Sequence, residues 1–114
     1  MIQGGPDCHL PRRRATPRWV PENVPLPAGT YFYKRLPPRR GLDRGLFVLR
    51  SDAKSFRAFV DRRWRRAGIT TLRPDEEPGE VEDIFQTPSG TGVFKANDVV
   101  CEPPYTRLLL IFGA

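Results

Sequence analysis

The sequence predicts a small α+β domain, in which one amphipathic helix packs on a mostly antiparallel sheet behind an extended Pro/Arg-rich N-terminal arm. Three observations predict it. A single segment has helical apolar spacing between a capping residue and a glycine stop. Several short runs of strand-forming residues are separated by Pro and Gly turns. Six prolines crowd the first 27 residues.

The arm comes first, over residues 1–27. Pro6, Pro11, Pro17, Pro21, Pro25 and Pro27 block helix and sheet interior and favour extended backbone. Arg12, Arg13, Arg14 and Arg18 place four cations on it, and Trp19, Val20, Val24 and Leu26 are spaced as anchors for an extended segment against a surface. The density of prolines argues against the amphipathic helix of an organelle transit peptide, and residues 1–10 lack the basic-then-apolar order of a signal peptide.

Residues 28–114 are expected to form one domain, since 114 residues support one core and not two. Thr30, Tyr31, Phe32 and Tyr33 read as a first strand, and Leu46, Phe47, Val48 and Leu49 as a second. Residues 34–41, with Pro37 and Pro38 inside them, read as a long basic loop carrying Arg39 and Arg40, extended by Arg44. The clearest element is a helix over 51–67. Ser51 is its expected N-cap, Asp52 sits in the first turn and Gly68 is the stop. Ala53, Phe56, Val60, Trp64 and Ala67 define its apolar face, with Lys54, Arg62, Arg65 and Arg66 opposite. Residues 69–72 read as a short strand, 75–80 as an acidic loop, 81–87 as a strand, 88–92 as a turn, and Val93 and Phe94 as the start of another strand. The last strand, 106–112, contains Leu108, Leu109, Leu110, Ile111 and Phe112 without alternation, which predicts burial on both faces.

Composition narrows the chemistry. Net charge is +6, and 16 of the 19 basic residues are arginine, whose planar fork suits phosphate oxygens. Residues 1–50 hold ten basic and three acidic residues (+7), residues 51–73 seven and two (+5), and residues 74–114 two and eight (−6). A basic two-thirds therefore precedes an acidic final third, and its field attracts polyanions. Cys8 and Cys101 make neither a disulfide scaffold nor a paired-cysteine zinc site, so a reducing compartment is expected, with a single Cys8–Cys101 bridge compatible with the sequence. No run of about 20 apolar residues exists to span a membrane.

No cofactor or metal is expected. Asp7, Cys8 and His9 are neighbours on an extended chain and do not converge on one ion, and His9 is the only histidine. Gly90-Thr91-Gly92 lacks a following Gly-Lys-Ser/Thr and reads as a hairpin turn rather than a phosphate loop.

The expected function is that of a non-enzymatic protein associated with nucleic acid, DNA or RNA. It would contact phosphates through Arg12, Arg13, Arg14 and Arg18 of the arm, Arg39 and Arg40 of the loop, and Lys54, Arg62, Arg65 and Arg66 of the helix. Trp19, Tyr31 or Tyr33 would offer rings for stacking on a base. The alternative is a structural assembly or adaptor subunit of a larger particle, such as a virion, whose arm grips a neighbouring chain through Trp19, Val20, Val24 and Leu26, the partner being an acidic protein surface or copies of the same chain. A third reading, a metal-dependent nuclease, would draw on Glu80, Glu82 and Asp83. The expected setting is intracellular, cytoplasmic or within a large assembly. Whether the acidic segment 75–83 closes over the basic helix face separates a phosphate-binding surface from a self-neutralised one.

Overall fold

The computed structural model describes residues 9–100 and 103–113. These residues form a sheet-dominated domain with one helix among them. Seven strands, β1 Tyr31–Arg39, β2 Leu42–Leu49, β3 Thr70–Thr71, β4 Asp75–Glu77, β5 Glu80–Thr87, β6 Gly90–Val99 and β7 Tyr105–Gly113, form one antiparallel sheet in the order β1-β2-β7-β6-β5-β3. β4 also pairs with β5, so β3 and β4 follow each other along the same edge, joined by the Leu72 N–H donating to Ile84 O at 2.8 Å. The helix, α1, spans Ala53–Phe59 and continues as a π-helical segment, Val60–Trp64. The wider π turn keeps Phe56, Val60 and Trp64, each four residues apart, facing the sheet together.

The register defines two faces. On the inner face, Phe32, Phe47, Leu108, Ala96 and Val81 lie in one row across the sheet, and Leu110, Phe94 and Asp83 in the next. α1 covers this face with an aromatic cluster. Trp64 sits edge-on to Phe85 at 4.9 Å and to Phe94 at 5.4 Å, and Phe56 to Phe94 at 5.3 Å, geometries that add to simple area burial. Gly92 is required here, since a Cβ on it would lie 2.4 Å from the Phe85 ring.

The strands also define two ends. At the upper end α1 begins and the β4–β5 turn closes. At the lower end lie the β1–β2 and β5–β6 turns and the end of the helix, where Trp64 lies over Phe85 and the chain returns as Thr70 opposite Gln86.

Several expectations change. The helix cap is Asp52, not Ser51: the Asp52 backbone is extended and its carboxylate accepts the Ser55 N–H at 2.8 Å. Ser51 instead offers its carbonyl to the Thr106 hydroxyl at 2.5 Å. The long basic loop is absent. Residues 34–39 belong to β1, an edge strand that tolerates Pro37 and Pro38 where the register slips between Leu36 and Arg39. Arg39 pairs with Leu42, leaving a two-residue turn of Arg40 and Gly41, both at positive φ (54° and 77°). The acidic loop is a hairpin of β4 and β5 turning at Pro78 and Gly79. β7 alternates: Thr106, Leu108, Leu110 and Phe112 are buried, whereas Leu109 and Ile111 are half-buried on the outer face. The helix covers the inner side alone.

Residues 9–27 lie against the domain. Arg14 bridges Phe32 at the free edge of β1, with its N–H 2.8 Å from Phe32 O. Val20 and Val24 are buried in the core, Trp19 and Leu26 pack against it, and the Trp64 indole N–H donates to Pro25 O at 2.8 Å.

Candidate nucleic-acid interface

The arginine side chains group by position in the sheet. At the lower end, the β1–β2 turn exposes Arg39 and Arg40. With Arg44, Leu42 and Ile111 they line a surface hollow of about 580 Å³. The Arg44 Nε–H donates to Pro37 O at 2.9 Å, which fixes the direction of that guanidinium. Arg62, Arg65 and Arg66 are exposed on the last turns of the helix, at the same end. β2 and β5 are three strand spacings apart, so the two clusters are separated by roughly 15–20 Å across the sheet. Arg12, Arg14 and Arg18 are exposed beside the β1 edge, which adds Lys34 and Arg35.

Asp52, Asp98 and Glu80 at the upper end, and Asp83 at the middle of β5, serve the fold. Asp98 accepts the Ala53 N–H at 2.8 Å and the Thr106 hydroxyl at 3.1 Å, anchoring the start of the helix to β6. The Asp52 carboxyl lies below the usual carboxylate range because of its hydrogen bonds to Ser55. Glu80 accepts from the Asn97 amide at 2.8 Å and lies 3.8 Å from Lys95. Asp83, fully buried in β5, accepts from Arg57 Nη1, Arg73 N–H and its neighbour Ile84 N–H, each at 2.8 Å. Arg57 also holds Asp61 at 2.7 Å. Burial lowers the Arg57 pKa, and its hydrogen bonds to Asp61 and Asp83 outweigh that and raise it.

This arrangement answers how the acidic segment sits on the helix. Among the described residues, the ion pairs within 4.0 Å are Arg35–Asp43, Arg57–Asp61, Arg57–Asp83 and Lys95–Glu80. Segment 75–83 engages the helix through Arg57 and leaves Arg62, Arg65 and Arg66 outside every pair. No known protein family matches the chain, and neither does any curated protein or solved structure. The site therefore rests on its own geometry.

Not every anticipated residue falls within it. Lys54 is at the opposite end of the helix from Arg66. It lines a hollow with Glu76, Glu77 and Asp98, among carboxylates rather than arginines. Arg13 lies over the Tyr31 ring at 5.6 Å, and the Tyr31 hydroxyl donates to Pro11 O at 2.6 Å, so this ring is used within the chain. Tyr33 is half-buried, and burial raises its pKa against the opposing effect of Arg107. Glu80 and Glu82 do not converge with Asp83: the first two lie in outer-face rows, while Asp83 faces the helix. Among the described residues no three His, Cys, Asp or Glu side chains group as metal ligands, and no helix is long and apolar enough to cross a membrane. Cys8 and Cys101 lie outside the described residues.

Two roles go beyond the sequence reading, which names Arg44 only as extending the basic loop and Asp83 only as a nuclease ligand. Arg44 becomes part of the cationic hollow through the tight turn, which brings it beside Arg39 and Arg40. Asp83 was legible in the alternation of Val81, Asp83 and Phe85, which places a carboxylate among inward-facing apolar positions.

Proposed function

We propose that this protein associates with nucleic acid by contacting the phosphate backbone with its lower end, through Arg39, Arg40 and Arg44 of the hairpin and Arg62, Arg65 and Arg66 of the helix. Arg12, Arg14 and Arg18 extend the contact along the β1 edge. The observation that supports this reading is that, among the described residues, Arg39, Arg40, Arg44, Arg62, Arg65 and Arg66 form no ion pair, set against the internal use of Asp52, Glu80 and Asp98 at the other end. Charge separated in this way orients the molecule toward a polyanion, and arginine adds bidentate phosphate contacts. The contacts are to backbone and shape rather than to base edges.

The adaptor reading has less support, because Val20 and Val24 are buried in the chain's own core and Pro25 O is held by Trp64.

Electrophoretic retardation of nuclease-treated protein on duplex DNA and on structured RNA tests the proposal. Retardation is expected at about 50 mM salt and should vanish near about 0.5 M, with log affinity falling linearly in log salt. Arg62→Glu/Arg65→Glu/Arg66→Glu should weaken binding at least about a hundredfold. Lys54→Glu, amid carboxylates at the far end, should change it less than about threefold. Absence of retardation at low salt on both substrates sinks the proposal.

A further inference from the structure

The outer face of the sheet carries an apolar row where an antiparallel sheet open to water carries polar side chains. Ile111, Val93 and Ile84 face one another across β7, β6 and β5, and Leu72 continues the row through its hydrogen bond to Ile84. Leu46 and Leu109 form the core of the adjacent row. Leu72 is 49% exposed, and the other five are half-buried although α1 lies on the opposite face.

Charge on this face is graded from edge to edge: Lys34, Arg44 and Arg107 lie on the β1-β2-β7 half and Asp75, Glu80 and Glu82 on the β5-β4 half, with Lys95 of β6 between them, 3.8 Å from Glu80. The face is therefore complementary to a rotated copy of itself. A two-fold axis along the strands, between β7 and β6, lays apolar row on apolar row. The same rotation sets β2 against β5 and β1 against β4, so that Arg44 lies diagonal to Glu82 and Lys34 opposes Asp75. Two sheets packed face to face with nearly aligned strands are a standard solution for such surfaces, and a two-fold uses one patch twice.

We propose that the chain forms a homodimer through this outer face. The patch projects roughly 500–600 Å² per copy from strand and residue spacings, at the lower limit for a specific interface, so the expected dimer is a micromolar one. The inference does not rest on nucleic-acid binding, but the two share Arg44 and Ile111, so dimerisation and phosphate contact at the hollow compete for Arg44.

Sedimentation equilibrium of the full chain, freed of nucleic acid, provides the test. Between about 1 and 300 µM the mass should rise from 13.0 kDa toward twice that value. Val93→Lys, which puts a cation into the apolar row beside Lys95 and near the other copy's Arg44, should hold it at the monomer mass with an unchanged circular dichroism spectrum. Arg44→Glu and Glu82→Arg should each weaken dimerisation about tenfold, and the double exchange should restore it. The proposal is overturned by a wild-type chain that stays monomeric throughout, as it would if a different protein or the chain's own ends occupied the face. A Val93→Lys chain that still dimerises, or a double exchange no better than either single change, overturns it equally.

Discussion

At the upper end of the strands Asp52, Asp98 and Glu80 each hold a partner within the fold, and Asp83 does so at its centre. At the lower end, Arg39, Arg40, Arg62 and Arg66 hold no carboxylate among the described residues. Formal charge treats the two groups as opposites that cancel to +6. Their bonding shows that they do different work. Several carboxylates satisfy backbone N–H groups or neutralise Arg57, so they are consumed as structural acceptors. The arginines stay open to solvent.

The largest expected effect tests the structural half of that contrast. Asp83→Ala leaves the Arg57 guanidinium, whose side chain is 13% exposed, without its buried partner, and removes the acceptor of the Arg73 N–H. Urea unfolding should show a loss of about 3–5 kcal/mol, the range for breaking one side of a buried pair. Asp61 moderates the loss by retaining Arg57 from the solvent side, which favours the lower figure. Asp75→Ala or Glu76→Ala, on the exposed β4, should stay within about 0.5 kcal/mol. If all three cost the same, the acidic residues do not divide into structural and solvated groups.

A smaller effect is expected at the helix start. Asp52→Ala removes the acceptor of the Ser55 N–H and should cost about 1 kcal/mol at neutral pH. Because the folded Asp52 pKa is lowered, the ionised carboxylate stabilises the fold above the unfolded value, near 3.8, and that stabilisation is lost as pH falls through the lower folded value. Wild type and variant should therefore converge in stability as acid is added below about pH 4. A gap unchanged by acid would mean the cap acts without its charge.

The helix, six of the seven strands (though not their full lengths) and the basic-then-acidic order were legible because they depend on local spacing and composition. What escaped depends on pairing. Pro37 and Pro38 read as loop, yet they fit an edge strand, where a missing N–H faces away from the ladder. The apolar run from Leu108 to Phe112 read as doubly buried, because periodicity cannot reveal that one face lacks a covering layer. For the site, the exposed arginines of the helix followed from helical phase. The separation of Lys54 from them required the position of the β4–β5 hairpin, and the turn at Arg40 required the β1–β2 register.

That turn gives the smallest change in stability, and it opposes stability to binding. Arg40 has φ of 54°, a left-handed backbone that costs a residue with a Cβ about 1 kcal/mol, and it precedes Gly41 in a turn whose preferred sequence is Asn-Gly. Asn tolerates this conformation better and does not loosen the unfolded chain as Gly would. Arg40→Asn should therefore stabilise the protein by about 0.5–1 kcal/mol in urea unfolding. The same change removes one cation from the hollow formed with Arg39 and Arg44, so the log–log salt slope of duplex binding should shrink by about 0.9. A stabilised variant with a reduced slope ties the strained turn to phosphate contact. A stabilised variant with an unchanged slope would leave Arg40 outside the interface and confine the contact to Arg62, Arg65, Arg66 and the β1 edge.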